Sequence, residues 1–255
     1  MLDCIYVVRH GFRSNWVVDP KTGEYANNIR SPTGIDGDPA LASYGVKQSR
    51  ELAIKLADVD PPIDIMYSSP FYRCLQTLGP FVTKVHADVV NVEPGLGEWF
   101  GTARFYHPQP LEAKSLVTHF PVVASSHTFD IKPERNGETI VQLHDRVART
   151  MNAIISYCDA LDSQPRALLI CTHAAVMIAL GRVLTGRMPE DVNEEDFRCG
   201  TCALSKFTRS RRDVKLDPSG SEWQEWSNGD GIGGGWDVEL NGDCSHLEGG
   251  EERTW

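Results

Sequence analysis

The sequence predicts an α/β fold: a largely parallel central sheet with helices on both faces, an irregular insertion and a C-terminal β extension. Two observations carry this. Short apolar, β-branched runs at 4–8, 63–67, 85–92 and 167–171 read as strands buried on both sides, and helical spacing separates them. The 255 residues are 41% hydrophobic and 24% charged, ordinary globular composition with enough chain for one large core. Residues 1–255 are therefore expected to form a single domain, with an insertion at about 99–136 and an acidic, Trp-rich extension at 213–255.

Each element has a local reason. Residues 4–8 form the first strand. After a turn cluster at 36–39, Leu41, Val46, Leu52, Ala53 and Leu56 fall at helical spacing, and Pro61-Pro62 closes that unit. Residues 63–67 form the second strand. Ser69 then reads as a helix N-cap with Pro70 at the first helical position, and Gly79-Pro80 should stop or kink that helix. Residues 85–92 form a third strand. Residues 93–134 lack periodicity and are rich in Pro, His and Phe. A long amphipathic helix spans 137–161, with Glu138 in its first turn, where a carboxylate suits the dipole. Strand 167–171 and helix 174–184 follow, then a strand over 200–207 with the Cys199-x-x-Cys202 pair at its start. The glycine-rich stretch 227–235 reads as a mobile turn. Beyond it, Trp236, Val238 and Leu240 alternate as in a strand with one buried face.

Charge and cysteine usage narrow the function. Of the net −10, −9 falls in residues 213–255, where eleven carboxylates face only Lys215 and Arg253. That argues against direct nucleic-acid binding, which needs a basic face, and suits a basic protein partner. Four of the six tryptophans (Trp223, Trp226, Trp236 and Trp255) share the same segment, so it should pack on the domain. Seven scattered cysteines read as reduced thiols and place the protein in nucleus and/or cytoplasm. No apolar run is long enough to span a membrane, and the N-terminus lacks the features of a signal peptide.

Sites in parallel sheets form at the carboxyl ends of strands. Those ends carry Arg9-His10-Gly11 with Arg13 beyond, Ser68-Ser69-Pro70 with Arg73, and Thr172-His173-Ala174; Glu98 lies on the loop after the third strand. Three arginines, two histidines and a carboxylate at one rim make a phosphate pocket. Guanidinium forks match phosphate oxygens, and a histidine serves as neutral nucleophile or charged donor. Glu93 competes with Glu98 for the acid role. His86, His107, His119, His127, His144 and His246 have no metal-ligand spacing and read as surface or packing residues. The basic run at 209–212 reads as a solvated turn.

These motifs resemble the histidine phosphatase superfamily, with its phosphoglycerate-mutase-like fold. Arg9-His10-Gly11 is similar to its signature, Ser68-Ser69-Pro70-Phe71-Tyr72-Arg73 to its second motif, Leu96-Gly97-Glu98-Trp99 to its acid loop and Thr172-His173-Ala174 to its third motif. The order is kept over roughly residues 4–207. The segments around Arg13, Glu98 and 236–255 resemble more closely the histidine-phosphatase domain of the fungal transcription factor IIIC 55 kDa tau subunit and its stand-alone paralogues.

The resemblance implies a metal-independent, histidine acid-type phosphatase without cofactor. His10, Glu98 and His173 would be catalytic, and Arg9, Arg13, Arg73 and His173 phosphate-binding. The substrate would be a phosphoprotein or aryl phosphate. It also implies two alternatives: a non-catalytic interaction subunit of the RNA polymerase III initiation machinery, alongside other transcription factor IIIC subunits, or a small-metabolite phosphatase or mutase. Phe12 and Arg13 depart from the mutase pattern.

Overall fold

The computed structural model describes residues 1–124, 129, 131–210 and 226–252. In chain order its elements are β1 (Cys4–Arg9), β2 (Trp16–Val18), β3 (Tyr25–Asn27), α1 (Ser43–Leu56), β4 (Ile65–Ser68), α2 (Tyr72–Val85), β5 (Asn91–Val92), α3 (Ala113–Leu116), α4 (Ile140–Ala160), β6 (Ala167–Thr172), α5 (Ala174–Thr185), β7 (Leu204–Arg209) and β8 (Trp236–Asp243).

Six strands form the central sheet in the order β5-β4-β6-β1-β7-β8. The first four are mutually parallel, and β7 and β8 add antiparallel at one side. Strand β6 sits among the parallel strands and is buried at all six positions, which is why its sequence is apolar throughout. Side chains alternate across β1. Cys4, Tyr6 and Val8 pack with Leu52, Leu75 and Leu78 of α1 and α2, whereas Ile5 and Val7 pack with Val147, Met151 and Leu180 of α4 and α5. Each large side chain so buried contributes roughly 1.5–3 kcal/mol. The register aligns the strand ends: Arg9 pairs with Thr172, and Ser68 with both Cys171 and Val92. The segments that follow, led by His10, Ser69, Glu93 and His173, therefore leave the sheet at one rim.

Several local expectations are corrected. Pro80 lies inside α2, which runs through to Val85. A proline there costs about 3 kcal/mol, but Leu75, Leu78, Phe81 and Val82 are buried on both sides of it, and that burial outweighs the cost. The helix ends at His86 in the left-handed conformation, φ 52°, so the expected strand at 85–92 shrinks to β5. Ser69 is not the N-cap. The cap position is Phe71, and Asp38 Oδ1 accepts the Tyr72 amide at 2.9 Å, a carboxylate supplied from a distant loop. Helix α4 is capped by Thr139, whose hydroxyl accepts from Gln142 while the Gln142 side chain accepts the Thr139 amide. Glu138 is instead buried against Arg146. Cys199 and Cys202 precede β7 in a turn, where Cys202 adopts φ 56°.

The segment before β8 is docked, not a loose turn. The Gly229 amide donates to Gly186 O at 3.1 Å and the Ile232 amide to Val183 O at 3.2 Å, pinning the glycines to the end of α5. Trp226, Ile232 and Trp236 are buried in the α4–α5 layer. In β8, Leu240 packs on the opposite layer, but Val238 is 39% exposed. Register irregularities around Lys206 break the simple alternation. Arg209 of the basic run is buried, paired with Asp159 at 2.9 Å and lying over the Trp236 ring at 4.9 Å. Trp223, Trp255, Arg211, Arg212 and His127 lie outside the described residues. No helix among the described residues is long and apolar enough to cross a membrane.

Candidate active site

His10 follows β1 directly, and its amide donates to Thr172 O at 3.0 Å. Gly11 allows this turn to press on the start of α1. A Cβ there would lie 2.9 Å from Gly45 O, and one on Gly45 would lie 2.0 Å from Phe12 O, so backbone meets backbone. The His10 ring is buried, with Nδ1 2.8 Å from Gly11 O. A carbonyl only accepts, so Nδ1 carries the hydrogen and Nε2 keeps its lone pair. Burial, reinforced by the charges of Arg73, His173 and Arg9, holds the His10 pKa well below its ordinary value. His10 is thus a neutral imidazole whose Nε2 carries an open lone pair.

His173 lies opposite, 5.3 Å away between ring centroids. Its Nε2 is 2.7 Å from Ser69 Oγ and its Nδ1 3.2 Å from Glu98 Oε2. Burial disfavours its charged form, but Cys74 and Glu98 outweigh that and raise its pKa. The two histidines are shifted in opposite directions: burial, then Arg73, His173 and Arg9, lower the pKa of His10, whereas Cys74 and then Glu98 raise that of His173 against burial and Arg73.

Arg73 is fully buried in the first turn of α2. Its Nη2 donates to Glu98 Oε2 at 3.0 Å, and its Nη1 is 3.5 Å from Asp38 Oδ1. Nε and Nη1 make no hydrogen bond. A buried guanidinium with open donors is a ready receptor for an anion. Burial pushes against ionisation of Glu98, yet His173 and Arg73 dominate and hold its pKa well below the carboxylate range. The Glu98 carboxylate bridges Arg73 and His173.

Glu93 and Glu98 separate cleanly. Glu93 is buried, accepts the Gly95 amide at 3.0 Å and the Phe129 amide at 2.9 Å, and shapes the loop. Arg146 braces the same loop by donating to Gly95 O at 2.6 Å and Gly97 O at 3.1 Å. Glu98 is the carboxylate presented to the histidines. The structure thus brings His10, Arg73, Glu98 and His173 together. Arg9 and Arg13 line the adjoining cavity, about 580 Å³ in volume, together with His10 and Glu98. Arg9 Nη1 is anchored to Cys199 O at 2.7 Å, and Arg13 lies over the Trp16 ring at 5.3 Å. Trp16, Tyr25, Phe100 and Phe105 give the cavity an aromatic wall, and His107, which read as a surface or packing residue, belongs to it through Tyr25 at 2.7 Å.

The nitrogen and oxygen atoms of His10, Glu98 and His173 lie within 4.8 Å of one another, a spacing that would also suit a metal ion. Arg73 already places a fixed cation 3.0 Å from Glu98 and 3.2 Å from His173, so the donor set fits an anion instead. The site residues that sequence reasoning missed are Asp38, Ser69 in its contact with His173, and the Glu138–Arg146 brace. Only the Ser-Ser-Pro motif carried any signal for them.

A parallel-sheet rim with a neutral histidine, a second histidine of raised pKa and a buried arginine defines a class, and the family model for the histidine phosphatase superfamily (branch 1) matches residues 5–220. The chain belongs to that superfamily. It is 31% identical over 261 residues to the transcription factor tau 55 kDa subunit of Saccharomyces cerevisiae, an alignment covering 100% of this chain and 58% of that protein. It is 26% identical over 226 residues to the ecdysteroid-phosphate phosphatase of Drosophila melanogaster, covering 74% of this chain and 28% of that one. The chain thus spans little more than half, or less, of these relatives. Among solved structures it is similar to the ecdysone phosphate phosphatase of Bombix mori in complex with tungstate, with TM-score 0.61 and 20% identity over 85% of this chain and 93% of that one. A phosphoserine phosphatase from Entamoeba histolytica aligns with TM-score 0.55 and 16% identity over 96% and 98%. The fold is phosphoglycerate-mutase-like.

Proposed function

We propose that this chain is a metal-independent phosphomonoester phosphatase working through a phosphohistidine. The observation that carries the reading is a neutral, buried His10 beside Arg73, whose Nε and Nη1 make no hydrogen bond. The incoming phosphoryl group takes the place of Glu98 Oε2 on Arg73 and His173, and Arg9 and Arg13 hold its outer oxygens. Glu98, released from both cations, then binds a proton readily. His10 Nε2 forms the bond to phosphorus as the ester oxygen leaves, and Glu98 gives that oxygen its proton. Water next attacks the phosphohistidine, Glu98 takes the water's proton, and inorganic phosphate departs with His10 restored.

The aromatic wall of Trp16, Tyr25, Phe100 and Phe105 suits an aryl phosphate such as a phosphotyrosine side chain. The relationship to the tau subunit, which runs over the whole chain, supports a place as a subunit, or a paralogue of a subunit, of transcription factor IIIC and a nuclear location. The acidic C-terminal segment suits a basic protein partner and disfavours contact with DNA. A non-catalytic role in that assembly is the second reading, favoured by the same full-length identity.

Hydrolysis of 4-nitrophenyl phosphate in excess EDTA tests the proposal. We expect turnover, an acid-labile phosphoenzyme, and loss of both in His10→Ala. Near-full activity in that variant would overturn the phosphohistidine route, and an inert wild type would favour the interaction role.

A further inference from the structure

A second cavity, about 410 Å³, lies between α4, α5 and the loop that carries Glu194 to Arg198. It adjoins the candidate active site. Trp99 lines both cavities, and Cys199, which lines the second, accepts the bond from Arg9 of the first. Its floor is apolar, with Leu143, Ile178 and Phe197, and its size suits one side chain or a small ligand.

The polar groups in it are mismatched. Arg182 is committed through Nε and Nη2 to Asp196 at 2.9 Å, Glu194 O at 3.1 Å and Val192 O at 3.2 Å, so its charge is already matched by a carboxylate. His144 is 3% exposed, stacks on Trp226 at 7°, and has Nδ1 2.7 Å from Ile140 O. The carbonyl fixes the hydrogen on Nδ1, and burial keeps the ring neutral, so Nε2 is an acceptor. No donor among the described residues reaches it, nor Glu251 Oε1, whose carboxylate otherwise pairs with Arg198. Both residues line this cavity. Two buried acceptors without donors are costly, and Glu194 and Glu195 add exposed negative charge at the same place. A ligand that would satisfy both acceptors is a hydrogen-bond donor, positively charged, on an apolar stem. Trp99, its ring fixed by Nε1 donating to Glu138 O at 2.7 Å, is a platform suited to a planar cation.

We propose that this cavity is a specificity subsite that takes an arginine side chain next to the phosphorylated residue of a peptide substrate. The inference rests on the phosphatase reading. The test compares kcat/KM for phosphotyrosine peptides with Ala or Arg at the flanking positions, in wild type, Glu251→Gln and His144→Phe; the phenyl ring keeps the stack on Trp226. An Arg peptide should be favoured by roughly ten- to a hundredfold, the range for a hydrogen bond to a charged group. Both variants should lose that preference through KM while hydrolysing 4-nitrophenyl phosphate as wild type does. Equal rates for the Ala and Arg peptides, or a preference that both variants retain, would overturn the subsite. If wild type hydrolyses no phosphate ester, the phosphatase reading fails, and calorimetry with N-acetyl-arginine amide decides the subsite alone. Binding weakened by Glu251→Gln supports it, and absence of binding removes it.

Discussion

Two buried arginines, about equally inaccessible, do opposite work. Arg146 on α4 spends its donors inside the protein: Nε and Nη2 go to Glu138 at 2.8–3.0 Å, and Nη1 goes to the carbonyls of Gly95 and Gly97. Arg73 on α2 shares one nitrogen with Glu98 and leaves Nε and Nη1 without a hydrogen bond. A structural arginine completes its own shell, because a buried unpaired charge is expensive. Arg73 leaves two nitrogens without a hydrogen bond, which fits a guanidinium that receives an anion. Its neighbours agree: Asp38 stands at 3.5 Å and Glu98 is shared with His173, so neither partner is dedicated to it.

The largest effect should come from Arg73→Met. On the proposed mechanism it removes a cation that contacts the reacting phosphoryl group, and turnover should fall on the order of 10³-fold or more, the scale for an arginine at a phosphoryl-transfer site. The melting temperature should fall less than for Arg146→Met, because Glu98 keeps His173 and Asp38 takes up a proton. Steady-state rates and calorimetry together decide it. A variant that unfolds while the surviving fraction remains active would erase the distinction between the two arginines.

Glu98→Gln sharpens the same contrast from the acceptor's side. The amide keeps the shape but loses the transferable proton, so turnover should drop by about two to four orders of magnitude for an alkyl phosphate. The loss should be smaller for 4-nitrophenyl phosphate, whose leaving group needs no proton. Equal losses for both esters would assign Glu98 to charge balance and not to proton transfer.

Arg146→Met should leave the Glu138 carboxylate, only 5% exposed, without its partner. Breaking such a pair costs about 3–5 kcal/mol. That corresponds to roughly 6–20 °C in melting temperature for a chain of this size. The activity remaining below that temperature should also fall, since the loop holding Glu98 loses its brace. A shift of a degree or two would show that the strut contributes little.

The sequence made one of these arginines legible and hid the other. Arg73 sits in a short motif at a strand end, where parallel topology dictates a site, and His10, His173 and Glu98 were readable for the same reason. Arg146 looked like any polar residue on an amphipathic helix, because its partners lie 8, 49 and 51 positions away. Asp38 was hidden likewise: it caps α2 from 34 residues upstream, leaving Ser69 to face His173. The proline in α2 misled because a local rule was outweighed by burial on both sides of it. The glycine-rich stretch 227–235 misled because two of its amides, those of Gly229 and Ile232, donate to Gly186 and Val183 at the end of α5, which no nearby residue announces.

The smallest effect concerns that undedicated partner. Asp38 is fully buried, and burial raises its pKa to about 6, against the downward pull of Arg73 and the Tyr72 amide. In the unfolded chain an aspartate titrates near 3.9. Between about pH 4 and 6 the folded protein therefore holds a proton that the unfolded chain has lost. The contribution of this carboxyl to stability is fully present below that window, declines as pH rises through it, and is constant above. Asp38→Asn keeps an oxygen for the Tyr72 amide but cannot titrate. The stability of wild type relative to Asp38→Asn should therefore decrease from pH 4 to pH 6 and then level off, as read from denaturant midpoints across that range. A wild type that gains on the variant as pH rises would mean that Asp38 is ionised throughout as a committed partner of Arg73. The two arginines would then differ in degree only, and the unbonded Nε and Nη1 of Arg73 would no longer argue for a phosphate ligand.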